Sequence, residues 1–144
     1  MEKESKPKIK EKFFHGLGRR KRATARVWLF DKKTETNPFT VNEMPIEAYF
    51  LGERAKEAYL EPFFTVGISH PLARFTATMK VTGGGKEAQI EAATLAFARS
   101  LVDFNETFRP LLSTKGLLRR DPREVERKKP YLRKARKAPQ YSKR

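Results

Sequence analysis

Alternating apolar and polar side chains predict four strands. From Ala23 to Phe30 a small or aliphatic residue stands at every second position, which is the period-two pattern of a strand with one buried face. The polar run 31–38 predicts a hairpin-like connection, and residues 39–41 predict a short second strand after it. Residues 64–68 favour a further strand, and the alternation over residues 73–81 predicts a central one.

Helical spacing marks two other regions. Pro45 begins an apolar stripe that is interrupted at Gly52 and stops at Pro62, so two short helices are predicted there. Over residues 86–104 apolar side chains recur at spacings of three and four, which predicts a long helix whose alanine-rich face packs closely on the sheet. A short helical turn is expected at residues 108–112, and the prolines that follow exclude another long helix.

The positive charge of the chain is concentrated at its two ends. The formal net charge is +15, to which residues 1–30 contribute +7, residues 31–112 contribute −2 and residues 113–144 contribute +10. Separate basic arms indicate binding of a polyanion, because a solvated surface mixes both signs, although a solvated tail is the alternative. We therefore predict a disordered charged extension over 1–12, a globular α/β domain over 13–112 and an extended basic tail over 113–144.

Several classes of function lack their residues in this sequence. There is no cysteine, which excludes disulfides, thiolate metal sites and cysteine nucleophiles. The apolar runs are far shorter than the roughly 20 residues that span a bilayer, and the first residues are unlike a signal or transit peptide, so a cytoplasmic protein is expected. His15 and His70 are more typical of surface or packing residues than of a metal site, and Glu53, Glu57 and Glu61 simply share one helix face. No catalytic constellation and no cofactor site are predicted.

A glycine run lies between the central strand and the long helix. The backbone N–H groups of Gly83–Gly85, with Lys86 at the start of the helix, have a geometry that can hold a phosphate. A nucleotide-binding P-loop would need glycine where Lys80 stands and a hydroxyl residue where Glu87 stands, so nucleotide hydrolysis is not supported. The residues alone leave two interpretations, a plain tight turn and a contact with an RNA backbone.

The last part of the chain has the composition of an RNA-binding tail. From residue 128 onward Lys and Arg are interspersed with tyrosine and proline, and no acid occurs. The cations neutralise phosphates and release counterions, tyrosine stacks on unpaired bases, and proline keeps the backbone extended. Because such a segment has no core of its own, it is expected to fold on its partner, with a nonspecific solubilising tail as the alternative.

Six motifs in a fixed order make the pattern more specific. They are the runs 16–27, 41–42 with 45–50, 81–85, 116–123, 126–130 and 134–144, the last of which reads Lys-Ala-Arg-Lys-Ala-Pro-Gln-Tyr-Ser-Lys-Arg. In this combination they resemble the universal family of small-subunit ribosomal protein nine, in its bacterial or organellar form. The resemblance covers essentially all of the chain from residue 16, and the final run is its most specific part.

The resemblance implies both a fold and a location. The fold is α+β and similar to the second domain of ribosomal protein five, with two main helices on one face of a sheet of about four strands, and a long extended basic C-terminal tail. The location is the head of the small ribosomal subunit, on the 3′ major domain of its ribosomal RNA and beside other head proteins. A cytoplasmic ribosome is expected rather than an organellar one.

Candidate RNA contacts follow from the basic runs, the glycine run and the resemblance. The expected contacts with ribosomal RNA are Arg19, Arg20, Lys21, Arg22, Arg26, Gly83, Gly84, Gly85, Lys86, Arg119, Arg120, Arg123, Arg127, Lys128, Lys129, Arg133, Lys134, Arg136 and Lys137. The resemblance further implies that the tip of the tail approaches the anticodon stem-loop of the peptidyl-site tRNA. The tip consists of Ser142, Lys143 and Arg144.

The long helix departs from the pattern of that family. The family usually has glycine at the position of Ala88 and an Arg-His pair at the positions of Thr94 and Leu95. These replacements favour ordinary packing, so the two arms are expected to provide relatively more of the RNA binding. Two other functions compete with this interpretation: a free nucleic-acid-binding module, which would need a symmetric basic face, and an enzyme, which would need a polar catalytic cluster.

Overall fold

Five strands form a single mixed sheet in a computed structural model that describes residues 12–32 and 38–143. The strands are β1 (Phe14–Arg20), β2 (Ala23–Phe30), β3 (Phe39–Val41), β4 (Met44–Pro45) and β5 (Thr76–Thr82). Their order across the sheet is β1-β2-β5-β3-β4, in which only the β3–β5 pair is parallel. Strand β5 therefore lies at the centre, as the sequence predicted.

Helices cover one face of this sheet. They are α1 (Ile46–Tyr49), α2 (Glu53–Thr65), α3 (Pro71–Arg74), α4 (Lys86–Phe104) and α5 (Arg109–Thr114), with a 3₁₀ turn at Glu106–Phe108. Helix α4 packs on β1 and β2, and α2 packs on α4. The α+β class is confirmed, with one short strand more than the four expected. Among the described residues, no helix has the length and apolar character that crossing a membrane requires.

A cluster of aromatic rings forms the centre of the core between the sheet and the helices. Phe39 of β3 stacks on Phe97 of α4 with 5.3 Å between the ring centroids, and Phe63 of α2 lies 5.3 Å from the same ring. All three side chains are almost completely buried. Because each ring comes from a different element, this contact holds β3, α2 and α4 together.

Strand β1 has glycine at two positions that face α4. A Cβ at Gly16 would lie 1.9 Å from the carbonyl oxygen of Ala96, and a Cβ at Gly18 would lie 1.8 Å from that of Ala92. No side chain fits at such a distance, so the helix backbone lies directly on the strand. The expected close packing of the alanine-rich helix face is confirmed. β1 was not predicted, because its glycines stand where a strand pattern would show apolar residues.

Three strand predictions need correction. The hairpin expected between β2 and β3 is wrong, because β5 lies between them in the sheet; residues 33–37 of the connection lie outside the described range. Residues 64–68 are not a strand, since α2 continues to Thr65 and a turn follows. β5 begins at Thr76, because the preceding residues form α3.

The expectation that Pro62 ends the helix is also wrong. A proline has no N–H to donate to the carbonyl four residues before it, which here belongs to Ala58. The hydroxyl of Thr94 on α4 lies 3.0 Å from that carbonyl oxygen and donates to it, shared with its own helix at Ile90. The neighbouring helix therefore supplies the donor that Pro62 lacks, and α2 continues through the proline.

Replacing Thr94 by valine is expected to lower the free energy of unfolding by about 1–2 kcal/mol, because the Ala58 carbonyl then lacks a partner in a partly buried position. Thr94→Ser keeps the hydroxyl and serves as the matched control. Urea unfolding followed by circular dichroism measures both. If Thr94→Val unfolds at the same or higher urea concentration than Thr94→Ser, the hydroxyl does not satisfy this carbonyl.

Candidate nucleic-acid interface

The pairing of β1 with β2 directs the side chains of the basic run 19–22 to three different places. Arg20 pairs with Ala23 across the strands, so Lys21 and Arg22 form a two-residue turn in which Lys21 has a φ of 50°. Both turn residues are exposed. Because side chains alternate along β1, Arg20 is directed towards α4 and Arg19 is exposed on the opposite face of the sheet.

The glycine run lies beside this turn. Gly83 and Gly84 have φ values of 73° and 65°, and a Cβ at Gly83 would lie 2.5 Å from the carbonyl oxygen of Arg22. The left-handed backbone and the close approach both require glycine. Gly85 is the N-cap of α4 and has open space around it. The first two glycines thus make the turn, while the third leaves the start of the helix accessible.

A groove of about 680 Å³ joins the turn, the glycine run and the beginning of the tail. Its lining includes Lys21, Arg22, Gly84, Gly85, Glu124, Glu126 and Arg127. Three of the predicted RNA-binding regions, which are far apart in the sequence, therefore meet at one place. The two carboxylates offset part of the positive charge of this groove, and the exposed N-terminus of the 19-residue helix α4 adds to it.

Lys86 is engaged with α1 instead of standing free. Its Nζ lies 3.3 Å from the centroid of the Tyr49 ring and donates to the Tyr49 carbonyl oxygen at 3.3 Å. The Tyr49 hydroxyl donates to Gln89, whose amide donates in turn to the Gly83 carbonyl oxygen, each over 3.0 Å. These contacts hold the glycine run against α1, so Lys86, which was predicted to contact ribosomal RNA, also supports the glycine loop.

Arg20 joins the beginning of the tail to the globular domain. Only 8% of the residue is exposed. Its guanidinium pairs with Glu91 of α4 and, over 3.2 Å, with Asp121, and it also donates to the carbonyl oxygen of Arg123. The side-chain and backbone hydrogen bonds that Arg123 donates hold the pKa of Asp121 well below its usual range. The bonds of Arg20 itself, to Glu91, to Asp121 and to the Arg123 carbonyl oxygen, occupy its guanidinium donors within the protein.

Replacing Arg20 by alanine is expected to release residues 119–123 from the domain, because Glu91 and Asp121 lose the cation they share. The free energy of unfolding should fall by about 2 kcal/mol. Hydrogen exchange of these amides, read by mass spectrometry, should become fast. Arg22→Ala removes the same charge from the exposed turn and should leave the exchange unchanged. Equal exchange in the two variants would contradict the anchoring role.

The described part of the tail begins with the last two residues of α5, and residues 115–143 contain no helix or strand. Leu117 and Leu118 near its start still pack against the core. Beyond them the rings of Tyr131 and Tyr141 are more than nine-tenths exposed. The tail therefore presents aromatic rings and cations to the outside instead of burying them in a core of its own.

Glu126 closes a loop within the tail. Its carboxylate accepts from Lys129 over 2.6 Å and from Arg136 over 2.8 Å, and these hydrogen bonds lower its pKa.

Most of the other predicted contacts are exposed: Arg26, Arg119, Arg120, Arg123, Arg127, Lys128, Arg133, Lys134 and Lys137. Of the predicted tip, Ser142 and Lys143 are described, and Arg144 lies outside the described residues.

Nothing in the sequence pattern indicated the two acids that bind Arg20. Glu91 lies 71 residues further along the chain, and it occupies an ordinary surface position of a helix in that pattern. Only the fold brings it and Asp121 to β1.

The residues of α4 that depart from the family pattern serve packing, as expected: Ala88 and Leu95 are each 6% exposed, and Thr94 bonds to α2.

Comparison with known proteins gives a consistent result over most of the chain. The family model described as ribosomal protein S9/S16 matches residues 18–144. A small ribosomal subunit protein uS9 of Thermus thermophilus is 47% identical over 131 residues, which are 91% of this chain and 98% of that protein. The protein of the same name from Chlorobaculum parvum is 44% identical over 128 residues, or 89% of this chain and 95% of that protein.

Proposed function

The chain belongs to the ribosomal protein S9/S16 family and is a structural constituent of the small ribosomal subunit, not an enzyme, and from this premise we propose how it is held there. Its two basic arms bind the ribosomal RNA of the subunit head, in the 3′ major domain, beside other head proteins. Its tail continues to the anticodon stem-loop of the peptidyl-site tRNA. The ribosome concerned is a cytoplasmic one.

The groove between the β1–β2 turn, the glycine run and the start of the tail is the observation that best supports RNA binding. Lys21 and Arg22 meet Arg127 there, although the two parts of the sequence lie about a hundred residues apart. The open N-terminus of α4 at Gly85 adds N–H groups and a positive dipole end, which suit a phosphate. A surface that only maintains solubility has no need to assemble these groups at one place.

The buried and engaged side chains take supporting roles in this proposal. Arg20 positions the root of the tail, because its guanidinium donors are used within the protein. Lys86 braces the glycine loop through its contacts with Tyr49. Contacts with RNA phosphates are assigned to the exposed residues: Arg19, Lys21, Arg22, Arg26, Arg119, Arg120, Arg123, Arg127, Lys128, Lys129, Arg133, Lys134, Arg136 and Lys137. The backbone of Gly84 and Gly85 completes the phosphate site.

The length of the tail allows its tip to act far from its root. Residues 128–143 span about 50 Å when fully extended. Arg20 and Asp121 hold the root of the tail on the domain. The position of the root therefore does not determine the position of the tip. Anchoring to ribosomal RNA and contact with tRNA are therefore separable functions of one segment.

Deleting Ser142–Arg144 is expected to leave assembly of the small subunit intact and to weaken binding of peptidyl-site tRNA about tenfold. The deletion removes two charge-assisted contacts with tRNA but few of the many phosphate contacts that hold the protein. Subunits purified in high salt should contain the shortened chain, and filter binding should measure the affinity for tRNA. Recovery of the protein free of subunits would instead favour a free nucleic-acid-binding module.

A variant with Lys128→Gln and Lys129→Gln is the matched control, because it removes the same number of charges from the middle of the tail. It should lower the affinity for ribosomal RNA and leave the affinity of assembled subunits for tRNA unchanged. If the tip deletion and the control have the same tRNA affinity, Lys143 and Arg144 do not contact the tRNA.

A further inference from the structure

Within residues 12–32 and 38–143, no helix lies over one face of the sheet. The helices pack on the other side, where the side chains of β1, β2 and β5 are buried at every second position. The remaining positions face outward, and the strand register arranges them in rows. The outward rows are Arg19–Thr24–Thr82, Leu17–Arg26–Lys80 and His15–Trp28–Thr78.

The first two rows form a cationic surface. Arg19, Arg26 and Lys80 are exposed, and they line a shallow concavity of about 300 Å³ together with the hydroxyl residues Thr24 and Thr82. The outward positions of β1, β2 and β5, all of which are described, hold no Asp or Glu. This half of the face is therefore positive and rich in hydrogen-bond donors.

The arrangement of these cations is unfavourable in the protein alone. Arg26 and Lys80 stand directly opposite each other on paired antiparallel strands, where like charges repel. Within the described part of the chain, no salt bridge or hydrogen bond engages the side chains of Arg19, Arg26 or Lys80. By contrast, Arg20 and Arg136 are each paired with a carboxylate within the protein. A bound anion between Arg26 and Lys80 would relieve the repulsion.

The third row adds a surface on which a base can stack. Trp28 is partly exposed, and its ring centroid lies 6.1 Å from that of the exposed His15. Stacking of an unpaired base on an aromatic ring is the usual companion of phosphate contacts in recognition of single-stranded RNA. Phosphate-binding and base-binding groups thus lie on adjacent rows of the same face.

This face is continuous with the groove. The row Arg19–Thr24–Thr82 borders the Lys21–Arg22 turn on one strand end and the glycine run on another, since Gly83 follows Thr82 directly. An RNA strand that occupies the groove can therefore continue over the edge of the sheet. No charged residue of opposite sign interrupts that path on the three strands.

We propose that the open face of β1, β2 and β5 binds an unpaired segment of ribosomal RNA, with phosphates on Arg19, Arg26 and Lys80 and a base on Trp28. This inference rests on the proposed function and extends it to Lys80, Trp28 and His15, which neither the basic runs nor the glycine run includes. It makes the sheet itself a binding surface in addition to the two arms.

Trp28 reports on this surface directly, because it is the only tryptophan of the chain. The full-length protein is titrated with a transcript of the 3′ major domain of small-subunit ribosomal RNA that has a dye at one end. Dye anisotropy measures binding at any site, and Trp28 emission measures contact with the open face. Quenching of Trp28 that saturates together with the anisotropy is expected.

The remaining outcomes separate the two proposals. If the anisotropy rises and Trp28 emission does not change, the RNA binds through the arms alone, and the proposal for the open face is wrong while the proposed function stands. If the anisotropy does not rise at protein concentrations in the micromolar range, both proposals are wrong.

Lys80→Gln tests the phosphate contact independently of the fluorescence. It should weaken binding about fivefold at roughly 0.1 M salt and lower the salt dependence by about one unit of slope. Lys115→Gln, at the end of α5 on the helix side, is the matched control and should change neither quantity. Identical behaviour of the two variants would contradict a phosphate contact at Lys80.

Discussion

Gly18→Ala is expected to lower the free energy of unfolding by about 3 kcal/mol or more, a larger loss than that expected for Thr94→Val or Arg20→Ala. The added Cβ would lie 1.8 Å from the Ala92 carbonyl oxygen, an atom of the helix backbone that cannot rotate away. Strand β1 and α4 would have to separate, and α4 contributes much of the core. Urea unfolding followed by circular dichroism measures the loss.

Gly85→Ala is the control for this substitution. Its φ of −99° suits any residue, and a Cβ there meets nothing within 4 Å. The free energy of unfolding of Gly85→Ala should fall by no more than about 1 kcal/mol, which is the cost of alanine at a helix N-cap. If Gly18→Ala unfolds at the same urea concentration as Gly85→Ala, the helix backbone does not lie directly on the strand.

Neutralising the basic middle of the tail is expected to weaken binding to ribosomal RNA about a thousandfold at physiological salt, since each lost phosphate contact removes part of the counterion release. The variant replaces six residues with glutamine: Lys128, Lys129, Arg133, Lys134, Arg136 and Lys137. The slope of affinity against salt concentration should fall by about four to five units. Titrations with the same transcript at several salt concentrations measure both.

A control variant removes three cations from the helix side, at Arg54, Lys56 and Lys115. Per charge removed, its effect on the slope should be far smaller, because these residues lie away from the proposed RNA-binding surfaces. An equal effect per charge would mean that net charge alone attracts the RNA, and that the tail has no particular position on it.

The elements that the sequence predicted well are those determined by neighbours a few residues away. The bounds of α4 agree with the spacing of its apolar residues, and β2 agrees with its alternation. Both patterns arise because one side of each element is buried, so they are visible without knowing what buries it. The break at Gly52 between α1 and α2 was visible for the same local reason.

The elements that were missed depend on contacts between distant residues. β1 is buried through glycine against a helix backbone, so it lacks the apolar side chains by which a strand is recognised. α2 passes through Pro62 because Thr94, on another helix, supplies the missing donor. The place of β5 between β2 and β3 is a property of the whole sheet, which a local pattern cannot contain.

The candidate interface shows the same division. Composition and motifs indicated the basic arms and the tail, because charge segregation is visible in the sequence. The sequence does not show which residue of the run 19–22 is buried and which are exposed. The inward direction of Arg20 depends on strand pairing and on Asp121, which is about a hundred residues away. In the sequence, Lys80 is an isolated cation within a predicted strand. Only the strand register places it opposite Arg26.

The most direct test of the proposed function is the location of the tail tip in an assembled particle. The chain has no cysteine, so Gln140→Cys provides a single attachment point for an iron chelate that cleaves nearby RNA. Small subunits containing this protein are loaded with peptidyl-site tRNA, and Glu57→Cys on α2 is the control position. We expect cleavage of the tRNA anticodon stem-loop from residue 140 and none from residue 57. Absence of tRNA cleavage from residue 140 in subunits that contain the labelled protein and bind tRNA would contradict the proposed position of the tail.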